Sequence, residues 1–291
     1  MTHVLTVVAN RAAASLSPGV LTALRDAVSG GTPVVLSDGE AVDIPLLRLP
    51  DMAQARAALG GQPIDLIALP AVGRRKAVLL ADMDSTIVTG ETLDELAALA
   101  GIGERIAAIT TRAMNGELDF KQALRERVAM LKGLPLDALE RAWARVALTP
   151  GARELVATMR AGGARTALVS GGFSFFTSRV AATVGFEAHR SNRLLDDGIS
   201  LTGAVAEPIL DRGAKLDALR EIAFERGVAL EATLAVGDGA NDLDMLRAAG
   251  LGVAFRAKPI VAAEARARVD HADLRALLFA QGYCASEFAM G

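Results

Sequence analysis

The sequence predicts an α/β protein in two parts: a small α+β unit, then a larger parallel sheet with helices on both faces and a helical insertion. Three observations predict it. A strand-helix-strand-strand-helix-strand pattern occupies the first 70 residues. From residue 77 onward, apolar runs of buried-strand length alternate with helical stretches. Between the first two of those runs, residues 91–146 read as helix throughout. The chain has 291 residues, and roughly 150 residues per domain sets a prior near two domains.

In the first part, Val4–Ala9 is rich in β-formers. Pro18–Ser29 carries helical spacing at Val20, Leu21, Leu24 and Val28, with Pro18 as a start and Gly30-Gly31 as a stop. Pro33–Ser37 and Val42–Leu49 flank Asp38-Gly39, a hairpin turn pair. Asp51 can cap a helix over 51–59 that Gly60-Gly61 ends, and Ile64–Leu69 closes the set. That order is the ferredoxin-like pattern. It resembles an ACT-type module, a fold often used to bind small effectors; a structural or dimerising appendage is the plainer alternative. Ala71–Lys76 reads as a linker with Arg74, Arg75 and Lys76 solvated, which divides the chain into domains 1–73 and 74–291. In the second, Ala77–Ala81, Thr166–Val169, Leu234–Val236 and Leu251–Ala254 are continuous apolar runs. Helical patterns at 154–160, 173–184, 214–226 and 241–249 separate them, which makes a Rossmann-like sheet with a helical cap at about 91–147 over its strand ends.

Composition narrows the function. With 31 Lys+Arg against 34 Asp+Glu, the net charge is −3, which leaves no basic footprint for nucleic acid. The 52% hydrophobic and 22% charged content excludes a disordered chain. Mean hydropathy is +0.33, yet no stretch approaches the ~18 uninterrupted apolar residues of a spanning helix, so no membrane partner is expected. Val4–Ala9 is too short for a signal peptide and no Lys or Arg precedes it, so the expectation is a cytoplasmic chain. The single cysteine, Cys284, fits a reducing compartment.

Four polar clusters begin where apolar runs stop: Asp82-Met83-Asp84-Ser85-Thr86, Ser170-Gly171-Gly172, Lys215 after Arg212-Gly213, and Gly237-Asp238-Gly239-Ala240-Asn241-Asp242. Ligands of open α/β sheets bind beyond the carboxyl ends of the strands; three clusters close strands directly, and helix placement could bring Lys215 to the same edge and so to one pocket. Asp82 and Asp84, two apart in extended chain, point to one side and can divide labour, one attacking and one moving protons. Crowded carboxylates call for a cation, and oxygen-only ligands argue Mg²⁺ rather than Zn²⁺. None of His3, His189 and His271 lies in a cluster. A cation, a lysine, a serine and glycine N–H groups describe a phosphate cradle. Between an aspartate and a phosphate at 4 Å, each unit pair of charge repels by ~4 kcal/mol at an effective ε near 20, a term a cation reverses. The reading is phosphoryl transfer through an aspartyl-phosphate.

Together, in order and on strand ends, Asp-x-Asp-x-Thr, Ser-Gly-Gly, the lone Lys and Gly-Asp-Gly-x-Asn-Asp resemble the motif set of the haloacid-dehalogenase-like phosphatases, from about residue 77 to the C-terminus. Within them, Asp82–Thr86 and a cap containing Glu91, Met114, Phe120 and Arg127 are most similar to the phosphoserine phosphatases. The resemblance implies these roles. Asp82 is the nucleophile and a Mg²⁺ ligand. Asp84 protonates the leaving hydroxyl, then activates water, and lends its main-chain carbonyl to Mg²⁺; Asp238 is the third ligand. Asp242 and Thr86 stand one layer behind. Ser170, Gly171 and Lys215 hold phosphoryl oxygens, with Asn241 on the phosphate side. Glu91 takes the substrate ammonium and Arg127 its carboxylate, between Met114 and Phe120, which read equally as cap core. The expected partner is O-phosphoserine; a homodimer and an effector on the N-terminal module stay open. A related phosphomonoesterase or phosphotransferase acting on another small metabolite is the alternative.

Overall fold

The computed structural model describes residues 2–114 and 117–290, and all their side chains except those of Ala113 and Met114. β1 (His3–Ala9), α1 (Pro18–Ala27), β2 (Val34–Ser37), β3 (Ala41–Leu46), α2 (Met52–Ala58) and β4 (Ile64–Pro70) follow in the predicted order. They form an antiparallel sheet, β2-β3-β1-β4, which is the ferredoxin-like arrangement. Local chemistry sets the helix starts. Pro18 opens α1 behind Ser17, and Asp51 Oδ1 accepts the Ala53 N–H at 2.8 Å at the head of α2.

Strand alternation then sorts the sheet's two faces. Leu5, Val7, Val42, Ile44 and Leu66 pack with Leu24 of α1 and Ala55 of α2. The other face buries Thr6, Asp43 and Asp65 among Val8, Ala41 and Ile67. This polar row corrects the expectation of a solvated linker. The Arg74 guanidinium donates to both Asp43 oxygens, at 2.5 and 3.1 Å, to Thr6 Oγ1 at 2.9 Å and to the carbonyls of Phe279 and Ala280. Arg75 lies 4.0 Å over the Tyr283 ring, and the Lys76 ammonium donates to the carbonyls of Gly73 and Glu231. Asp65 accepts the backbone N–H groups of Asp270, His271 and Ala272. The basic run clamps the first sheet onto the second unit.

The second unit opens with β5 (Val78–Ala81). The cap follows as α3 (Thr92–Leu99), α4 (Gly103–Met114), α5 (Phe120–Ala129) and α6 (Asp137–Trp143). Next come α7 (Ala152–Ala161), β6 (Arg165–Phe173), α8 (Ser174–Val184), β7 (Ala188–Asn192) and a hairpin of β8 (Leu194–Asp196) with β9 (Leu201–Val205). The chain ends through α9 (Arg212–Arg226), β10 (Thr233–Gly237), α10 (Leu243–Ala248), β11 (Leu251–Phe255), α11 (Pro259–Glu264), β12 (Ala267–Val269) and α12 (Ala276–Ala280). Six strands pair in parallel in the order β12-β11-β10-β5-β6-β7. Val78 and Leu80 pack with Ala218 and Leu219 of α9 and Met245 of α10, whereas Leu79 and Ala81 face Leu155 of α7, Phe176 of α8 and Leu277 of α12. Both faces are therefore covered, and β5 is apolar at every position because it has no wet side. The sequence did not announce β7 or the β8–β9 hairpin, which packs against α5. No described helix is long and apolar enough to cross a membrane.

Candidate active site

Asp82 follows the last residue of β5. Its carboxylate Oδ1 accepts the Met83 N–H at 2.8 Å, while the Met83 side chain is wholly buried. The next residues make a tight loop: Asp84 is extended, and Ser85 adopts φ +54°, a left-handed conformation that costs an L-residue about 1–2 kcal/mol. Two bonds hold Ser85 there: its N–H donates to the Gly90 carbonyl at 3.2 Å and its hydroxyl to Glu91 Oε1 at 2.7 Å. Asp84 Oδ1 accepts the Thr92 N–H at 3.0 Å, so the loop and the first cap helix are joined at two points.

The other clusters arrive from neighbouring strands. Ser170, Gly171 and Gly172 lie near the end of β6, where the pairing with β7 shifts register. Ser170 Oγ accepts the Gly172 N–H at 2.8 Å. A Cβ on Gly172 would stand 2.9 Å from Asp84 Oδ2, so only glycine lets the two loops approach this closely. Lys215, in the first turn of α9, is buried; its Nζ lies 2.7 Å from Asp82 Oδ1 and 2.6 Å from Asp242 Oδ1. Asp242 Oδ2 accepts the Gly239 N–H at 2.9 Å.

A cavity of about 390 Å³ lies over these strand ends. Asp82, Asp84, Ser170, Gly171, Asp238 and Asn241 line its floor, and Glu91, Phe120 and Arg127 line it from the cap. The Phe120 ring packs on Gly171, which closes the cap onto the core. Lys215 and Asp242 stand behind Asp82. Thr86 is wholly buried and does not line the cavity; its hydroxyl has no hydrogen-bond partner among the described residues. Met114 ends α4, and its side chain lies outside the described residues. Two residues escaped the sequence reading. Buried Asn192 donates to the Gly171 carbonyl at 2.8 Å and accepts the Leu210 N–H, which braces the Ser170–Gly172 segment. Lys258 lines the cavity from the loop after β11, and the rule that flagged the other strand ends would have found it there.

Burial governs the electrostatics. It raises the Asp82 carboxyl well above the ordinary range; the Asp242 charge adds to this and Lys215 opposes it. Asp84 is pushed up to about 7, first by burial and then by Glu91. Asp238 is pushed up to about 6, by burial and then by Asp242. Burial works to lower the Lys215 ammonium, but Asp82 and Asp242 outweigh it and hold it above its usual value. Burial lowers the Arg127 guanidinium against the pull of Asp94 and Glu91. Carboxylate oxygens of Asp82, Asp238 and Asp242 lie within 4.8 Å of one another. Lys215 alone cannot balance them, and both Asp242 oxygens already have donors. This all-oxygen, negatively charged set fits a hard divalent cation between Asp82 and Asp238. A buried carboxylate, a second carboxyl whose pKa of about 7 lets it give or take a proton, and a glycine-rich segment can together serve acyl- or phosphoryl-type transfer to an aspartate.

The family model of haloacid dehalogenase-like hydrolases matches residues 79–247. A phosphoserine phosphatase of Archaeoglobus fulgidus is 44% identical over 200 residues, covering 68% of this chain and 58% of that protein, so the chain spans little more than half of its length. One from Streptococcus thermophilus is 46% identical over 200 residues, 68% of this chain and 93% of its own. The crystal structure of a probable phosphoserine phosphatase from Vibrio cholerae superposes with a TM-score of 0.79 at 32% identity, covering 100% of this chain and 90% of that one. With a match that runs from the first strand of the parallel sheet to the helix beyond Asp242, the chain belongs to the haloacid dehalogenase-like hydrolase family.

Proposed function

We propose that this chain is a Mg²⁺-dependent phosphatase that hydrolyses O-phosphoserine to serine and inorganic phosphate, a serine-forming step, through an aspartyl-phosphate. One observation carries the reading: a single cavity brings Asp82 and Asp84 together with a cap carboxylate, Glu91, and a cap guanidinium, Arg127. The names of the relatives at 44% and 46% identity support it. Mg²⁺, held by Asp82, Asp238 and the main-chain carbonyl of Asp84, would offset the negative charge of the phosphoryl group.

The chain's own groups then act in order. Asp82 attacks phosphorus through a carboxylate oxygen, and the Lys215 ammonium and Met83 N–H, both on Oδ1, fix the orientation of the carboxylate. The bond from phosphorus to the serine oxygen breaks as Asp84 gives that oxygen its proton. Asp84, now ionised, takes a proton from water, whose oxygen attacks phosphorus and releases Asp82 and inorganic phosphate. Ser170 and the glycine N–H groups after it hold phosphoryl oxygens while Asn192 fixes their segment. Arg127 takes the substrate carboxylate with its planar fork, and Glu91 takes the ammonium. We place the division of the chain at residues 73–74 and the cap at about 91–147. Phosphate release from a panel of small phosphomonoesters, with Mg²⁺ and with chelator, tests the reading. Phosphoserine should lead the panel by at least tenfold and chelator should abolish release; a different leading ester would move the substrate and keep the reaction class.

A further inference from the structure

We propose that Lys258 is a phosphate-binding residue of this site, holding the phosphoryl group of the substrate and then the inorganic phosphate it yields. The assignment rests on the phosphatase reading above. It starts from where the cations lie. Among the described residues, Arg127 and Lys258 are the cations that line the cavity, with Lys215 behind Asp82. Lys215 is matched by two carboxylates within 2.7 Å. Arg127 belongs to the cap, with Glu91 and Asp94 as its charged neighbours. Lys215 stands behind Asp82 and Arg127 reaches the cavity from the cap, so neither is an exposed cation on the strand-end side of the cavity.

Lys258 is differently placed. It follows β11, so it comes from the same edge of the sheet as the other clusters. Its main-chain N–H donates to the Asp238 carbonyl at 3.1 Å, which fixes the base of the side chain to the loop after β10. Its ammonium stops 3.9 Å from Asp238 Oδ2, beyond hydrogen-bond distance, and the side chain is 52% exposed while lining the cavity. An ammonium on a flexible four-carbon stem, anchored at its base and not closed onto a carboxylate, can swing to an arriving anion. A cation at the mouth of a negative cleft also raises the local concentration of an anionic substrate.

The rival account makes Lys258 a counter-charge for Asp238 alone. Removing it would then tighten cation binding and leave phosphate affinity unchanged. The test is calorimetric titration of the Mg²⁺-loaded full chain with inorganic phosphate, in the wild type, Lys258→Gln, Lys258→Arg and Arg127→Ala. KM and kcat for O-phosphoserine and for a phosphate ester without amino or carboxyl groups complete the set. A lost hydrogen bond to a charged group predicts that Lys258→Gln weakens phosphate binding about 10- to 100-fold and raises KM for both esters, with a smaller effect on kcat. Lys258→Arg should keep phosphate affinity within about threefold, since it keeps the charge and donors. Arg127→Ala should leave inorganic phosphate alone. Wild-type phosphate affinity in Lys258→Gln overturns the assignment, whether or not Mg²⁺ binds more tightly. A wild type that neither binds phosphate nor hydrolyses any phosphomonoester overturns the phosphatase reading itself.

Discussion

Replacing Lys215 by methionine keeps the length and apolar stem of the side chain and deletes one buried charge. Its Nζ stands 2.7 Å from Asp82 and 2.6 Å from Asp242, and all three side chains are under a tenth exposed. Coulomb's law at an effective ε near 20 gives about 6 kcal/mol for each pair at 2.7 Å, before the cost of desolvating the charges. Removing one partner of a buried pair costs about 3–5 kcal/mol, and that net scale decides the prediction. For a protein of this size each kcal/mol shifts Tm by roughly 2–4 °C, so Lys215→Met should melt about 6–20 °C below wild type in chelator. Adding Mg²⁺ should shrink the gap, because a cation beside Asp82 replaces part of the missing charge. Turnover should be lost in both conditions, since no ammonium then holds Asp82 Oδ1. Thermal unfolding by circular dichroism and phosphate release read the two effects separately. A Tm within 2 °C of wild type in chelator would refute the claim that Lys215 holds these carboxylates together.

Other changes probe other parts of the chain. Asp82→Asn should keep the fold and abolish turnover, because an amide does not attack phosphorus; a folded, fully active variant would falsify the aspartyl-phosphate route. Arg127→Ala should lower kcat/KM for phosphoserine by roughly 30- to 5,000-fold, the effect of about 2–5 kcal/mol for a truncated buried charge pair. An ester without amino or carboxyl groups should lose far less, and equal losses would move Arg127 into the general machinery. Arg74→Ala leaves Asp43 buried without its guanidinium, so stability should fall by about 3–5 kcal/mol in denaturant melts, with turnover per folded molecule unchanged.

The site was legible because its strands are buried on both faces. Val78–Ala81 offers no polar residue until Asp82, so the change from apolar to charged marks the strand end and the start of the candidate site at once. The first sheet was legible through punctuation: Pro18, Asp38-Gly39 and Gly60-Gly61 bracket its elements. What escaped depends on tertiary partners. β7 reads Ala-His-Arg-Ser-Asn, mostly exposed at the sheet edge, and it is a strand only because β6 offers it hydrogen bonds. Arg74 looked solvated because its partners, Asp43 and the carbonyls of Phe279 and Ala280, lie 31 and more than 200 residues away. Lys258 is the exception: it follows the Leu251–Ala254 run, where the strand-end rule reaches it, although no acidic or glycine cluster marks it.

Ser85 couples the Asp82–Asp84 loop to the helix that follows Glu91, and two substitutions can separate its two effects. Its φ of +54° is strained for any residue with a Cβ, and its hydroxyl donates to Glu91 Oε1 at 2.7 Å. That bond holds Glu91 Oε1, and on the proposed reading Oε2 is the oxygen that meets the substrate ammonium. Ser85→Ala keeps the strain and loses the bond, so stability should drop by about 1 kcal/mol. Ser85→Gly loses the same bond but relieves about 1–2 kcal/mol of strain, so it should melt at or above the wild-type temperature. Both variants release Glu91 equally. KM for phosphoserine should therefore rise by a similar factor in the two, about three- to tenfold for a net bond of about 1 kcal/mol, while an ester lacking the ammonium is indifferent. Stability and KM are thus expected to part company. If KM instead follows stability, with Ser85→Gly binding phosphoserine as wild type does, the loop's conformation and not the bond to Glu91 governs the site, and Glu91 needs no partner to meet its ligand.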